Sequence, residues 1–389
     1  MTADTHPFDR KIYAAKGGQN LSLTDLLDYF AKAGSMRVSD LHMKVGCPPV
    51  YRVDGALQRM KGPPLDEETV THVAACLLSD LERKALAEVG SVDSSLLTDT
   101  MQFRLNCFRD SDGTAVAIRA LNPTIPPIEQ IGFVNNVWQD IVTKQQGLVL
   151  LTGITGAGKS TTICSLIDRI AKFRACRIIT LEDPIEYRMT SQEAIVSQRE
   201  VGRDVPDFAR GLRDCLREDP DVIYVGEMRD RESAQWTLTA AETGHLVFST
   251  LHTRDTRGSI TRLLDMAPPE QQDEVANQLS LGLSHIISQK LVPRADGRGR
   301  VMVQEILTNV QAVSNIIRQR KVEQIRTHLQ TRTRDIPDER MTTMERSLAL
   351  RVAQGVITIE EARKWADDLP CFADELKRVQ RGSVPPPPL

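Results

Sequence analysis

Nine residues near the middle of the chain, GITGAGKST from Gly153 to Thr161, follow the apolar run Leu148-Val149-Leu150-Leu151 and open the stretch STTICSLIDRIAK. The spacing Gly153-x4-Gly158-Lys159-Ser160 fits the P-loop pattern, and a buried strand before it with a helix after it is the context that pattern requires. The glycines let backbone N–H groups curl around phosphates while the helix N-terminus contributes its positive dipole end. Lys159 neutralises the terminal phosphates, and the Ser160 hydroxyl is a ligand for Mg2+. The expected nucleotide-binding set is therefore Gly153, Ile154, Thr155, Gly156, Ala157, Gly158, Lys159, Ser160 and Thr161. By itself this loop permits a switch, a kinase or a motor.

Two further strand ends narrow the choice. IITLEDPIEY places Glu182 and Asp183 just beyond an apolar strand, and DVIYVGEMRD does the same for Glu227. In a parallel sheet the C-terminal strand ends line one crevice, so acids distant in sequence converge on the phosphates. One of them holds Mg2+ through water, with Glu227 the expected residue and Asp183 a second candidate, while another orients or deprotonates the attacking water. His245 and His252 bracket the strand LVFSTLH; His252 lies at the end that shares the crevice, where an imidazole can donate to a phosphate or a carboxylate. His245 lies at the opposite end, farther off.

Composition agrees with a globular, two-domain chain: 389 residues, 41% apolar and 26% charged. A net charge of -3 gives no global basic field, and no basic stripe interleaved with aromatics is present, so nucleic acid is not an expected partner. The seven cysteines form no CxxC pair, which suits reduced thiols in the cytoplasm. No apolar run reaches the ~18 residues of a spanning helix, so direct membrane insertion is not expected.

Along the chain, residues 1–20 read as a flexible tail. The pattern LSLTDLLDYFAKAG gives a helix with Leu23, Leu26, Leu27 and Phe30 on one face and Gly34 at its end. Strands around Leu41, Met43, Val45, Tyr51 and Val53, a helix over about 66–88, and a hairpin of QFRLNCF and TAVAIRAL about the turn DSDG complete a small α+β domain at 21–121. The proline-rich NPTIPPIEQIG marks a linker, taken as 122–146. An α/β domain at 147–375 follows, with the strands LVLLTG, RIITLED, DVIYVGE and LVFSTLH joined by helices. Helices are expected to dominate after about Pro268, and 376–389, ending VPPPPL, reads as a proline-rich tail.

Four segments, in order, carry a family resemblance: GITGAGKST as Walker A, ITLEDPIEY as an aspartate box, LREDPDVIYVGEMRD as Walker B and TGHLVFSTLH as a histidine box. QFRLNCF, IVSQREVG and SHIISQKLVP add to it, so that it spans roughly residues 22–370. The chain resembles the secretion-superfamily ATPases, GspE-like proteins among which PilT-type retraction ATPases of type IV pili are most similar. The resemblance implies a RecA-like P-loop ATPase domain preceded by a smaller PAS-like domain, with ATP and Mg2+ as cofactors. It implies a homo-hexamer acting on an inner-membrane pilus platform protein, peripheral to that membrane on the cytoplasmic side. On this pattern Glu227 and Glu182 are catalytic, His252 and His245 couple nucleotide state to domain movement, and Arg104 and Arg119 reach the phosphates. Read from the residues alone, those arginines are equally solvated strand positions. Arg213 and Arg217 lie off the apolar stripe Phe208, Leu212, Cys215 and Leu216, open to a subunit contact or to solvent.

The sequence departs from the family in places. Ile154 and Ala157 stand where proline and serine are usual, and Arg254 stands where asparagine is common. AVSNIIRQ, Ala312 to Gln319, carries Ser314 and Gln319 in place of an arginine and a glutamate of the segment AIRNLIRE. Two alternatives to retraction remain at this level: a pilus-assembly or type II secretion ATPase, and a nucleotide-binding regulatory subunit without turnover.

Overall fold

A computed structural model describes residues 7–33, 38–53, 56–98, 101–121, 124–335 and 340–382. They fall into two compact units, one holding the N-terminal residues through Thr124 together with Pro184–Arg188, the other Ile125–Asp183 and the chain from Met189 onward.

The first unit pairs β1 (Lys11–Ala14) with β2 (Asn20–Ser22) and runs α1 (Leu23–Ala33) into a six-stranded antiparallel sheet. Its strands are β3 (Val38–Lys44), β4 (Val50–Val53), β5 (Ala56–Arg59), β6 (Ser91–Leu97), β7 (Gln102–Asp110) and β8 (Gly113–Leu121), in the order β5-β4-β3-β8-β7-β6. Leu23, Leu26, Leu27 and Phe30 are buried against Leu41, Met43, Phe103 and Ile118, with Phe30 edge-on to Phe103 at 5.3 Å. The hairpin of β7 and β8 turns at Ser111-Asp112, where Asp112 N–H donates to Asp110 Oδ1 at 2.9 Å.

Two expectations are corrected here. The stretch taken as a tail contains β1, whose Tyr13 is buried in this core, because short apolar residues there find a partner strand only in three dimensions. The helix expected over 66–88 is two helices, α2 (Glu67–Leu77) and α3 (Asp80–Val89). Leu78 is extended, and Ser79 with Glu82 forms a capping box that restarts the helix. Gly34, Asn122, Pro123 and the last seven residues lie outside the described residues.

The second unit is built on a seven-stranded sheet. Its strands are β9 (Gly147–Thr152), β10 (Arg177–Glu182), β11 (Ile195–Glu200), β12 (Val222–Val225), β13 (Leu246–Leu251), β14 (Leu283–Pro293) and β15 (Arg300–Thr308), in the order β11-β10-β12-β13-β9-β14-β15. All neighbours are parallel except β14 and β15. Every residue of β9 is buried, and the alternation of strand side chains sends Val149 and Leu151 to one core and Leu148 and Leu150 to the other. Each such side chain contributes about 1.5–3 kcal/mol on burial, which favours an interior place for β9, between β13 and β14.

Helices α4 (Val137–Thr143), α5 (Lys159–Phe173), α6 (Phe208–Cys215), α7 (Arg231–Glu242), α8 (Thr256–Asp265) and α9 (Gln272–Gly282) alternate with the strands. After β15 come α10 (Gln311–Arg318), α11 (Gln324–Asp335), α12 (Met344–Ala353), α13 (Ile359–Trp365) and α14 (Leu369–Gln380). Two further expectations change and one gains detail. Much of the stretch taken as a linker is core: Ile128, Phe133, Val134, Val137 and Ile141 are buried with β9 and α5. Helices dominate after Pro268 as expected, but the region also contributes the two long strands β14 and β15. The tail expected from 376 is helix through Gln380, with Val379 buried.

Candidate functional site

The parallel order places four strand ends side by side: the P-loop after β9, Glu182 at the end of β10, Glu227 after β12 and His252 after β13. Within the loop Gly153 has φ +143°, and a Cβ there would lie 2.5 Å from the Gln289 carbonyl oxygen, so only glycine fits. The two departures in the loop have simple settings: Ile154 points outward, exposed, and Ala157 is buried against Gly153. Thr155 and Gly156 are exposed, while Gly158, Ser160 and Thr161 are half-buried about the start of α5. Lys159 is 8% exposed, and its ammonium donates to the carbonyls of Gly153 at 2.8 Å and Ile154 at 3.3 Å.

Glu182 is 3% exposed and anchored within its own neighbourhood: its Oε1 accepts from Thr180 Oγ1 at 2.7 Å and from Gln198 Nε2 at 3.0 Å. Glu227 and Asp183 are nearer the surface and share a guanidinium. Arg229 Nε donates to Glu227 Oε2 at 2.9 Å and its Nη1 to Asp183 Oδ2 at 3.1 Å. The Glu227 hydrogen bond, outweighing partial burial, raises the pKa of Arg229 above its ordinary value, so this cation is permanent. The other oxygen of Glu227, Oε1, lies 3.2 Å from His252 Nε2.

The backbone beneath is pinned by Gly226 N–H to Leu181 O, Thr250 Oγ1 to Gly226 O and Met228 N–H to Thr250 O, at 2.8, 2.7 and 3.2 Å. Sequence reasoning passed over Arg229, although it lies within the quoted DVIYVGEMRD. Its signal was a cation two residues past the strand-end acid, close enough to neutralise it.

His245 does not join this cluster. It sits at the other end of β13, seven positions or about 23 Å along an extended strand from His252. There its Nδ1 lies 2.9 Å from Ala240 O and 3.2 Å from Thr243 Oγ1, at the end of α7. Arg104 and Arg119 belong to the first unit, directly opposite each other on β7 and β8. Arg119 Nε donates to the buried Asp40 at 2.7 Å, and Arg104 lies 3.8 Å from Asp93. Arg213 and Arg217 are exposed; Arg213 lines a cavity of about 400 Å3 with Asp183, Arg210, Arg229 and Glu232.

A family model described as type II/IV secretion system protein matches residues 25–382. Over 347 residues the chain is 40% identical to a Pseudomonas aeruginosa protein named type IV pilus retractation ATPase PilT, covering 89% of this chain and 98% of that one. The chain belongs to the type II/IV secretion system protein family. This family member is also 40% identical over 323 residues to the twitching motility protein of Neisseria gonorrhoeae, with 83% of this chain and 85% of that one covered. Its fold matches a crystal structure of the pilus retraction motor PilT with bound ADP, with TM-score 0.81 and 39% identity over 92% of this chain and all of that one. The resemblance carried by the four motifs is thus shown, as is the α/β fold with a smaller first domain.

The altered segment of this family member forms α10, with Val313 and Ile317 buried and Ser314 Oγ donating to Ser280 O at 2.6 Å. A short hydroxyl therefore ties α10 to α9 where the family pattern carries an arginine.

Proposed function

We propose that this secretion-family chain is an ATP-hydrolysing motor that retracts a type IV pilus. One observation carries the reading: the Lys159 loop and the Glu227, His252, Arg229 and Asp183 cluster occupy neighbouring strand ends, in a chain matching a named retraction ATPase over nearly that protein's whole length. Ser160, Asp183 and Glu227 offer hard oxygen donors, the kind Mg2+ takes alongside phosphate and water. Among the described residues no group of three or more His, Cys, Asp or Glu could hold a metal unaided, which suits an ion that arrives with its nucleotide. When bound, Mg2+ supplies charge neutralisation at the phosphates.

The residues divide the work. Lys159 exchanges two loop carbonyls for phosphate oxygens, and the P-loop N–H groups orient the nucleotide. Glu227 accepts a proton from the attacking water while His252 holds its other oxygen in place. Arg229 keeps Glu227 and Asp183 together until the nucleotide's own charges compete for them. Buried Glu182 fixes the end of β10 beside that cluster, and His245 anchors the far end of β13 against α7.

The family pattern supports the larger assembly. In this reading the second unit is the RecA-like ATPase domain and the first is PAS-like, and six chains form a ring with ATP between domains and subunits. Arg104 and Arg119 reach the phosphates as the domains close, and hydrolysis reopens them. The load is a platform protein in the inner membrane, which sets the ring at its cytoplasmic face without insertion.

The test is deletion in the native host, with phosphate release measured on the purified chain. Surplus surface pili, lost twitching and Mg2+-dependent turnover are expected. Absent pili would assign the motor to assembly, and bound nucleotide without phosphate release would make the chain a regulatory subunit.

A further inference from the structure

Gln289 lies in the interior of β14, only 1% exposed, an unusual place for a primary amide. Its Nε2 donates to Ala157 O at 2.6 Å, across 132 residues of sequence, and its own backbone carbonyl faces Gly153 so closely that a Cβ there would stand 2.5 Å away. The same Nε2 would lie 3.3 Å from a Cβ placed on Gly158. One residue of β14 thus touches both ends of the P-loop. The amide's orientation is fixed: turned over, its oxygen would meet the Ala157 carbonyl oxygen. The actual orientation leaves Oε1 buried without a hydrogen-bond partner, so the side chain is arranged for its bond to the loop and not for its own satisfaction.

We propose that Gln289 is a positioning residue of the phosphate loop, acting through the peptide plane between Ala157 and Gly158. A trans peptide points its C=O and N–H in opposite directions. Holding the Ala157 carbonyl toward β14 therefore turns the Gly158 N–H away from β14, into the set of amides that must converge on a phosphate. Gln289 touches no nucleotide atom; it supplies the rigidity that a loop rich in glycine lacks. The preceding strand position repeats the device on a second loop of the site, because Ser288 Oγ donates to Arg254 O at 2.8 Å, just past His252. The inference rests on the nucleotide-binding reading given above.

The experiment compares wild type, Q289M and Q289E in the full chain, measuring MgADP and MgATP affinity, steady-state turnover and melting temperature with and without nucleotide. Q289M keeps the shape but loses the donor, and should raise Kd and KM about tenfold, with kcat within twofold and the nucleotide-free melting temperature within a few degrees of wild type. Q289E, which sets a carboxylate against a carbonyl, should lose more. If Q289M does not fold, Gln289→Asn, too short to reach Ala157, carries the same expectation. Wild-type affinity in Q289M would overturn the proposal alone. Equal falls in kcat, affinity and nucleotide-free melting temperature would reduce Gln289 to a structural residue and overturn it too. Wild-type protein whose melting is not raised by MgADP or MgATP would instead remove the nucleotide reading, and the proposal with it.

Discussion

The two units treat charge in opposite ways. In the first, an antiparallel sheet carries arginines in mid-strand, where Arg119 and Arg104 stand in register and pair with Asp40 and near Asp93. In the second, β9, β12 and β13 are buried along their whole length. The ionisable groups gathered by these strands are displaced to their C-terminal ends. An antiparallel strand with one wet face tolerates a cation at any outward position, so position says little about purpose. A strand buried on both faces has room for charge only where it stops, so an acid at its end is informative.

Changes in both units can break or sharpen this contrast. The largest effect is expected for Glu227→Gln, which keeps the contacts in outline but removes the base. Phosphate release should fall about 100-fold or more while nucleotide still binds, whereas wild-type turnover would show that the strand-end cluster is not the hydrolytic site. Next comes the strand that carries the loop. Leu150→Ala in β9 opens a cavity at a fully buried position and should cost about 2–5 kcal/mol in denaturant unfolding.

A smaller effect is tied to pH. Glu305 on β15 accepts from Thr256 N–H and Oγ1 at 2.9 and 2.7 Å, at the start of α8, and desolvation pushes its carboxyl up to about 7, with Asp255 and Glu345 adding to the rise. Between pH 4.5 and 7 the folded chain therefore keeps a proton that the unfolded chain releases, and stability from this group declines as pH rises through that window. Glu305→Gln keeps an acceptor for Thr256 without the charge. It should melt higher than wild type at pH 8, by at most about 3 kcal/mol in stability, and level with it near pH 4.

The smallest effect belongs to the first unit. Arg119→Ala removes one partner of the buried Asp40, which keeps Ser39 and Arg52, and should cost about 1–2 kcal/mol in that unit. Turnover should also fall about tenfold, as the proposed reach of Arg119 to the phosphates requires, and wild-type turnover would withdraw that role.

The same contrast explains what could be read in advance. β9, β10, β12 and β13 were legible because strands inside a parallel sheet are near-continuous apolar runs closed by turn residues. β14 and β15 were not. Their interior positions include His285, Gln289 and Gln304, buried polar side chains whose partners are Ser284 for His285 and, far off in sequence, Ala157 for Gln289 and Val134 for Gln304. His285 pays the usual cost of such burial: it is held down to about 3 by desolvation and so stays neutral.

At the site, the loop and the acids were readable because each ends an apolar run. Arg229 was not singled out, because nothing in its own surroundings in the sequence marks a salt bridge to Asp183, 46 residues away. His245 was named with His252 on the strength of a shared motif, yet a strand holds its two ends apart.

The short segment Pro184–Arg188 groups with the first unit, while Asp183 before it and Met189 after it group with the second. There Gln102 of β7 donates its side-chain amide to the Ile185 carbonyl. The polypeptide therefore passes from one unit to the other three times, and no single cut can separate them. A protease nick near Thr124 would leave the halves still stitched, and a graft that exchanged only the N-terminal residues would discard five residues belonging to the part it meant to move. Inheritance meets the same restriction. A swap of the first unit between relatives has to carry Pro184–Arg188 along with the N-terminal residues.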